Sequence, residues 1–295
     1  MKHWISAMRL RTLPLAFASI GMGAFLAAAQ GGFRPAVFAL CLLTTIALQI
    51  LSNLANDYGD TVHGADNADR EGPSRAVQTG VISRAQMKKA IGISVGITLV
   101  LGISLLIVAG VSVQVFATFI GLGLLAVVAA ILYTNGVRPY GYVGLGDLSV
   151  FLFFGLLGVL GTFYLQVGYV TWDLILPGAA CGLFTVAVLN VNNIRDIDSD
   201  LKAGKYSIPA RLGRSRATIY HLALLITGLA SALLYSYLHY TGPTQLLYLL
   251  MVPLLYINGR AVKTKLSSQE LDPYLKQMAI STLVFVLFFG IGINI

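Results

Sequence analysis

The chain has little charge and almost no cysteine. Only 11% of its 295 residues are charged, and its two cysteines, Cys41 and Cys181, lie in separate apolar segments. A soluble domain carries about 25% charged residues, so the composition argues against a soluble protein. Two isolated cysteines form no disulfide framework, and no Cys/His spacing typical of a zinc site accompanies them. Both are expected to be small buried hydrophobic residues.

The N-terminal segment lacks the small-residue cleavage site of a signal peptide. It reads MKHWISAMRLRTLPLAF, with basic residues ahead of an apolar run. Without a cleavage site, this run is expected to remain in the protein as its first helix.

Long apolar runs, by contrast, recur over the whole length of the chain, and 57% of the residues are hydrophobic. The expected fold class is therefore an all-α integral membrane protein, a single domain over residues 1–295. The predicted architecture is nine transmembrane helices in a bundle around a central cavity. The nine apolar spans, of which the eighth is short and contains Pro253, lie near residues 13–30, 36–55, 90–110, 113–133, 146–166, 174–193, 218–238, 244–259 and 277–294.

The basic residues predict an orientation. If the N-terminus is cytoplasmic, 19 of the 20 Lys and Arg residues fall on the cytoplasmic side, and the exception is Arg34. Cytoplasmic loops of membrane proteins carry such an excess. The net charge of +8 therefore reflects topology, and no nucleic-acid partner is expected. The long polar loops, 56–89 and 194–217, are predicted to form a cytoplasmic cap at the mouth of the cavity.

The acidic residues are concentrated in two of these polar stretches. Five of the twelve lie in residues 53–80, NLANDYGDTVHGADNADREGPSRAVQTG, and three more lie in residues 190–200, NVNNIRDIDSD. Each stretch follows an apolar span on the predicted cytoplasmic side. A solvated acidic loop would explain one such stretch, but two at equivalent places favour a shared site.

The spacing within the two stretches is helical. Asn56 and Asp60 are four residues apart, as are Asn192, Asp196 and Asp200, so each set shares one helical face if the span's helix continues. An offset of 136 residues relates Asn56 to Asn192 and Asp60 to Asp196. This short internal repeat indicates that the second and sixth spans occupy related places in a duplicated bundle.

Asp and Asn oxygens suit Mg²⁺, a hard ion that fills its remaining coordination positions with water and phosphate oxygens. Carboxylates crowded at a membrane boundary also need cations to neutralise them. The neighbouring Arg70, Arg75 and Lys205 are either topology determinants or clamps for a diphosphate. The two stretches are interpreted as halves of a site for Mg²⁺ and a diphosphate.

Tyrosines flank the predicted mouth. They are either part of an interfacial aromatic belt or a set of π-faces that shield a carbocation. The residues are Tyr58, Tyr133, Tyr140 and Tyr142.

Longer motifs surround both acidic stretches: LPLAFASI, LQILSNLANDYGD, DR-x-GP-x-R-x-x-Q-x-G, NxxRPYGYxGLGD and LNxNNxRDxxSD. In combination, with NDxxD after the second span and DxxxD after the sixth, they resemble the UbiA superfamily of intramembrane prenyltransferases. The resemblance covers nearly the whole chain. It is closest to the bacterial branch that acts on 1,4-dihydroxy-2-naphthoate in menaquinone synthesis.

The resemblance implies a Mg²⁺-dependent transfer of a polyprenyl group from polyprenyl diphosphate to 1,4-dihydroxy-2-naphthoate. CO₂ and diphosphate would be lost and demethylmenaquinone formed. It also implies a multi-pass protein of the bacterial cytoplasmic (inner) membrane, whose partners are these two substrates and the lipid bilayer.

Residue roles follow from the resemblance together with the spacing and the charges. The expected metal ligands are Asn56, Asp57, Asp60, Asp66, Asn192, Asp196 and Asp200. The residues expected to act in catalysis are Asp60, Asp196 and Arg138. The residues expected to bind the substrates are Arg11, Arg70, Arg75, Lys89, Asn135, Tyr140, Arg195 and Lys205, with Arg70 and Arg75 holding the acceptor's carboxylate.

The chain departs from the family pattern at two places. A further Asp of many relatives is replaced by Gly64, and the next acidic residue is Asp66. In GKYSIPARLG, Ser207 stands where Thr is common and Pro209 interrupts a hydrophobic run, while Lys205 and Arg211 stay in place.

Three other functions are alternatives to prenyl transfer to the naphthoate. A sibling prenyltransferase acting on 4-hydroxybenzoate or another ring would share the fold and metal site. An ion-coupled transporter would place its ionisable residues near the middle of the bilayer, whereas here the acidic residues lie at span ends. A CDP-alcohol phosphotransferase would concentrate its acidic residues in one motif.

Overall fold

A computed structural model describes residues 2–64 and 75–295. Within these ranges all regular structure is helical. Eight helices are long and apolar enough to cross a membrane, and a shorter apolar helix precedes them. In chain order they are α1, Leu13–Ala29; α2, Pro35–Val62; α3, Arg84–Ala109; α4, Val113–Leu132; α5, Gly146–Val167; α6, Trp172–Arg195; α7, Ile208–Leu238; α8, Pro243–Thr264; and α9, Ser268–Asn294.

Short or irregular helical segments complete the described chain. A helix, Lys2–Met8, and a 3₁₀ turn, Leu10–Thr12, precede α1. A 3₁₀ turn, Tyr140–Val143, lies between α4 and α5, and a short helix, Ile197–Lys202, lies between α6 and α7. Three spans contain irregular parts, which are the π-helical Phe151–Leu157 in α5, the 3₁₀ turn Trp172–Leu174 in α6 and the 3₁₀ stretch Pro243–Met251 in α8.

Local sequence explains where the helices begin and end. Ser83 caps α3 through a capping box with Gln86, and Gly110 ends that helix in a left-handed conformation with φ 68°. Ser207 caps α7, and Pro209 occupies its first turn, where a missing N–H is tolerated. The Ser207 and Pro209 departure from the family pattern is therefore compatible with an ordered helix start.

Helix α6 forms the centre of the bundle and is buried along most of its length. It packs against α7, α9 and the π-helical segment of α5. The π-helical segment approaches α6 closely, because a Cβ added to Gly155 would lie 2.7 Å from the Gly182 Cα. The Ser19 hydroxyl donates to the Phe154 carbonyl at 2.6 Å, which satisfies a backbone acceptor in this irregular turn.

Arg34, the exception to the charge asymmetry, caps the C-terminus of α3. Its guanidinium donates to the carbonyl oxygens of Ala109 at 2.9 Å and Val108 at 2.8 Å. A cation at a helix C-terminus is stabilised by the unpaired carbonyls and the helix dipole. The position of Arg34 therefore has a structural explanation that is independent of topology.

The structure corrects several predicted boundaries. Helix α2 continues to Val62, beyond the predicted span end at 55, and α3 begins at Arg84, so the loop predicted over 56–89 is shorter. Helix α7 also enters the loop predicted over 194–217, with a short helical part from Ile208 that is separated from the rest by a break at Gly213 (φ 72°, ψ 163°). Apolar runs mark only the part of a helix that matches the hydrocarbon core, whereas backbone hydrogen bonds continue into polar sequence. The first span is a helix of 17 residues, shorter than the other eight.

Candidate active site

A cavity of about 390 Å³ lies between helices α1 to α6. Towards the C-terminal ends of α2 and α6 its wall is polar and includes Asn56, Asp60, Arg75, Asn192, Asn193 and Lys205. Towards the opposite ends of these helices its wall is apolar and includes Ile20, Cys41, Leu105, Leu106, Phe119, Ile120 and Leu165. The cavity thus suits a ligand with a charged head and a hydrocarbon tail.

Asp60 is the acidic residue of α2 that lines this cavity. Its side chain is 6% exposed, and Oδ2 accepts a hydrogen bond from Arg75 Nη2 at 2.9 Å. Oδ1 accepts from the Tyr142 hydroxyl at 2.9 Å. A buried carboxylate whose two oxygens accept from a guanidinium and a hydroxyl is fixed in orientation.

Asn56 lies one turn before Asp60 on the same face of α2. Its side-chain oxygen accepts from the Thr134 hydroxyl at 3.2 Å. Thr134 comes this close because residue 59 is glycine. A Cβ at Gly59 would lie 2.5 Å from the Thr134 hydroxyl oxygen. The glycine therefore allows the α4–α5 connection to orient a residue of the cavity wall.

Asp57 faces the chain that returns after the undescribed segment. Its carboxylate accepts from the backbone N–H groups of Ala76 and Val77, both at 3.3 Å, and the residue is 1% exposed. Asp57 is not part of the cavity wall. Asp57 precedes Asp60 by three residues, which leaves the two side chains about 60° apart around the helix. Asp57 faces the loop, while Asp60 faces the cavity.

In the second acidic stretch the helix breaks at Asp196. Helix α6 ends at Arg195, and Asp196 has φ −101° and ψ 13° before the short helix Ile197–Lys202 begins. Arg195 donates two hydrogen bonds to Asp196, from Nε to Oδ1 at 2.7 Å and from Nη2 to Oδ2 at 2.8 Å. Its Nη1 donates to Asp272 of α9 at 2.5 Å. Arg195 and Asp196 therefore lie behind the cavity wall and tie α6 to α9.

Asp200 pairs with Lys205, a residue of the cavity wall, with 3.2 Å between Oδ1 and Nζ. Its other oxygen, Oδ2, is buried and has no hydrogen-bond partner among the described residues. Burial raises the pKa of Asp200 to about 6, although Lys205 acts in the opposite direction. Burial lowers the pKa of Lys205, but Asp200 and Asp60 together outweigh it, so this pKa is raised and Lys205 stays cationic.

Tyr142 joins the first acidic stretch to the segment that follows the second. Its hydroxyl donates to Asp60, and its carbonyl accepts from the Tyr206 N–H at 2.8 Å. The Lys205 ammonium lies 5.9 Å from the centre of the Tyr142 ring, within range of a cation–π contact. Arg211 adds a further bridge, because its guanidinium donates to the carbonyls of Tyr206 at 3.0 Å and Val143 at 2.8 Å.

Tyr133 and Tyr140 also line the cavity, in an edge-to-face pair with ring centres 5.3 Å apart. The Tyr140 hydroxyl donates to the Ala129 carbonyl at 2.9 Å and contacts the Ser149 hydroxyl at 3.0 Å. Burial raises the pKa of both phenols. Both rings are therefore neutral aromatic surfaces at physiological pH.

Three other predicted substrate or catalytic residues lie outside the cavity wall. Asn135 donates to the Ala55 carbonyl at 3.0 Å and packs α2 against the α4–α5 connection. Lys89 and Arg138 are exposed and do not line the cavity. Proximity in sequence to a polar motif does not determine the direction of a side chain, so the catalytic or substrate-binding roles of these three residues stay predictions. Asp66, Arg70 and the side chain of Arg11 lie outside the described residues.

Other cavity residues were not predicted as site residues. Gln49 and Asn53 precede Asn56 and Asp60 at steps of four, three and four, which places all four on one face of α2. This helical periodicity is readable from the sequence. Asn193 and Arg9 also line the cavity. Asp272 gave no sequence signal, because its partner Arg195 is 77 positions away.

The polar end has the oxygen donors that Mg²⁺ requires. No group of three or more His, Cys, Asp or Glu residues in the described ranges is arranged to hold a metal ion. Mg²⁺ does not need such a cage, because it is usually held by one or two carboxylates together with substrate phosphates. Asp60 and Asp200 can supply these one or two carboxylates. Oδ2 of Asp200 lacks a hydrogen-bond partner among the described residues.

Known proteins resemble the chain over nearly its full length. The profile of the UbiA prenyltransferase family matches residues 15–283. The 1,4-dihydroxy-2-naphthoate octaprenyltransferase of Escherichia coli (strain K12) is 46% identical over 98% of this chain and 94% of that protein. The enzyme of the same name from Haemophilus influenzae is 44% identical over 100% of this chain and 96% of that protein.

A solved structure shows the same fold. The UbiA homologue from Archaeoglobus fulgidus bound to DMAPP and Mg²⁺ superposes with a TM-score of 0.61 at 16% identity, covering 97% of this chain and 98% of that one.

Proposed function

This chain belongs to the UbiA prenyltransferase family, and from that premise we propose that it prenylates 1,4-dihydroxy-2-naphthoate. The donor is a polyprenyl diphosphate. A carbon–carbon bond forms between the isoprenoid and the ring, the donor's C–O bond breaks, and the ring carboxylate leaves as CO₂. The products are diphosphate and the quinol form of demethylmenaquinone. The full-length identity to two naphthoate octaprenyltransferases supports this acceptor.

The observation that carries the proposal is the convergence of two acidic stretches on one cavity. Asp60 from the first stretch and Asn192 from the second lie at the same polar end, together with Lys205, which pairs with Asp200. The rest of the wall is mostly apolar. A diphosphate fits the polar end and an isoprenoid tail fits the apolar part.

Mg²⁺ would be held by Asp60 and Asp200, with the amide oxygens of Asn56 and Asn192 beside them. When bound, Mg²⁺ supplies positive charge that stabilises the leaving diphosphate. A Mg²⁺-bound neighbour of the same fold supports the choice of metal. Asp196 is proposed to position this end of the site through its two bonds to Arg195.

The chain's own cations act on the same charge. Lys205 and Arg75 line the polar end, and each is already oriented by a carboxylate, Asp200 or Asp60. Donors fixed before the reaction stabilise the negative charge that develops on the departing diphosphate. They also leave the carboxylates without a net excess of negative charge that would repel the donor.

The aromatic wall acts on the other half of the donor. As its C–O bond breaks, positive charge develops on the allylic carbon, and the π-faces of Tyr133 and Tyr140 attract such charge. Both phenols stay protonated, so the rings shield this carbon without acting as nucleophiles. The electron-rich naphthoate ring is then the nucleophile that meets the allylic carbon.

The protein is an integral membrane protein with at least eight helices able to span a bilayer in its described ranges. We place it in the bacterial inner membrane as a single domain over residues 1–295, with α1 as a ninth span. The N-terminus and the polar end of the cavity then face the cytoplasm. This orientation follows the distribution of Lys and Arg, and it places the lipid-soluble tail and product within the bilayer.

An acceptor panel tests the proposal. Purified protein is incubated with Mg²⁺ and radiolabelled prenyl diphosphate together with either 1,4-dihydroxy-2-naphthoate or 4-hydroxybenzoate. Label should enter the naphthoate product. Label entering only the hydroxybenzoate product would assign the chain to a sibling prenyltransferase, and label in neither product would contradict prenyl transfer to these rings.

A further inference from the structure

The cavity has a second polar patch, deeper along α2 than Asp60. It consists of Arg9, Thr12, Gln49 and Asn53, all in the cavity wall, and is called the deep niche below. At 1.5 Å per residue, Asn53 lies about 10 Å and Gln49 about 16 Å from Asp60 along the helix axis. This distance leaves room for a diphosphate and an aromatic ring between Asp60 and the deep niche.

The deep niche is held together by its own hydrogen bonds. The Thr12 hydroxyl oxygen accepts from Gln49 Nε2 and Asn53 Nδ2, both at 3.3 Å, and its proton goes to the Arg9 carbonyl at 2.9 Å. Asn53 Nδ2 also donates to the Met8 carbonyl at 2.9 Å. These bonds fix the turn that carries Arg9 against the middle of α2.

Two features of the deep niche lack a structural explanation. Gln49 Oε1 is buried and has no hydrogen-bond partner among the described residues. A buried amide oxygen without a donor is costly, and more so within a membrane. In the described part of the chain, Arg9 is also the one non-glycine residue with positive φ, at φ 49° and ψ 56°. Such strain is found at ligand-binding positions, where the surrounding structure maintains it.

We propose that the deep niche binds the aromatic acceptor, with Arg9 holding its carboxylate and Gln49 Oε1 accepting from its neighbouring hydroxyl. This inference rests on the proposed function. The acceptor offers a carboxylate and a hydroxyl on adjacent ring carbons, and a guanidinium beside an amide oxygen matches that pair. The assignment moves the carboxylate away from Arg75, whose guanidinium bonds Asp60 at the diphosphate end.

The arrangement also orients the reaction. With its carboxylate in the deep niche and the diphosphate at Asp60, the ring lies between the two anions and faces the allylic carbon. Separating the carboxylate from the diphosphate avoids repulsion between like charges. Holding both reactants in one geometry is itself a large part of catalysis.

The variant Arg9→Gly tests this assignment, because glycine adopts the left-handed conformation without strain. It removes the guanidinium while keeping the backbone of the turn. The KM for the naphthoate should rise by about 10- to 100-fold, as expected for the loss of hydrogen bonds to a charged group. The KM for the prenyl diphosphate and the melting temperature should not change. Arg9→Lys should recover part of the loss, and Arg260→Ala, at an exposed arginine of α8, should change neither KM.

The acceptor provides the matching change on the ligand side. 1,4-Dihydroxynaphthalene lacks the carboxylate, so its inhibition constant should be the same in wild type and Arg9→Gly. If Arg9→Gly lowers the melting temperature, Gln49→Leu decides instead, and it should raise the KM for the naphthoate alone. If the wild type is active and the two variants raise the KM for the donor, or for neither substrate, the inference is overturned. A wild type that does not prenylate the naphthoate would overturn the proposed function itself.

Discussion

The Tyr142 hydroxyl donates a hydrogen bond of 2.9 Å to Asp60, although the two residues are 82 positions apart in the chain. Through its carbonyl, Tyr142 also accepts from the Tyr206 N–H, in the segment that follows the second acidic stretch. The side chain of Tyr142 thus positions a carboxylate of the first stretch, and its backbone holds the segment after the second stretch beside it.

Tyr142→Phe should weaken the site without disrupting the fold. The ring stays in place beneath Lys205, but Asp60 Oδ1 loses its hydroxyl donor. Because hydrogen bonds to charged groups contribute about 1.5–3 kcal/mol, kcat/KM for the prenyl diphosphate should fall by at least about tenfold. Tyr256→Phe, at a tyrosine that is 68% exposed, is the control. Equal kinetics for both variants would show that Tyr142 does not position Asp60.

Asp60 and Asp57 are expected to differ in function although only two residues separate them on α2. Asp60→Asn removes a carboxylate from the cavity wall, so the Mg²⁺ concentration for half-maximal prenyl transfer should rise, and kcat should fall by about 10²- to 10³-fold. Asp57→Asn keeps one oxygen, which can accept from Ala76 or Val77. Because Asp57 is not in the cavity wall, the Mg²⁺ dependence of this variant should match wild type. A Mg²⁺ titration of both variants checks this. An equal shift in both would return Asp57 to the set of metal ligands.

Gly59 is expected to be intolerant of any side chain. A Cβ there would lie 2.5 Å from the Thr134 hydroxyl oxygen and 2.6 Å from its carbonyl oxygen. Gly59→Ala should therefore lower the free energy of unfolding by about 1–3 kcal/mol through overpacking, and should reduce activity because Asn56 and Asp60 move. Gly92→Ala, where a Cβ meets nothing within 4 Å, is the matched control in thermal unfolding in detergent. Equal melting temperatures would show that the helix end has room to move.

Arg34 is expected to matter for stability and not for catalysis. Arg34→Ala removes the donors to Ala109 and Val108, so α3 loses its C-terminal cap. The free energy of unfolding should fall by about 1 kcal/mol, while kcat per folded molecule stays the same. Thermal unfolding and steady-state kinetics of the same preparation measure both. A lower kcat without a change in melting temperature would contradict a structural role.

The sequence predicted the bundle because membrane-spanning helices need long apolar runs, and the resemblance in its motifs is confirmed as UbiA family membership. The apolar runs gave wrong helix ends, since α2 continues through Asp60 although its apolar run stops earlier. The sequence could not separate Asp57 from Asp60, because a motif does not show which way each side chain points. Lys205 and Arg138 were equally plausible as neighbours of a diphosphate, and only the folded chain places Lys205 in the cavity wall and Arg138 on the surface.

Other parts of the site depend on contacts that no local pattern encodes. Arg195 meets Asp272 only because α6 packs against α9. Tyr142 reaches Asp60 only because a 3₁₀ turn between α4 and α5 lies over the end of α2. The polar face of α2 that includes Gln49 and Asn53, in contrast, follows helical periodicity and was available to sequence reasoning.

The most direct test of the account is the Mg²⁺ dependence of diphosphate release. Purified protein in lipid vesicles receives prenyl diphosphate and 1,4-dihydroxy-2-naphthoate, and prenylated product, diphosphate and CO₂ are quantified together before and after chelation of Mg²⁺. The account predicts one diphosphate and one CO₂ for each prenylated ring, loss of all three with chelator, and their recovery when Mg²⁺ is restored. Prenylated product that forms equally well under chelation, or the absence of product and diphosphate with Mg²⁺ present, would contradict it.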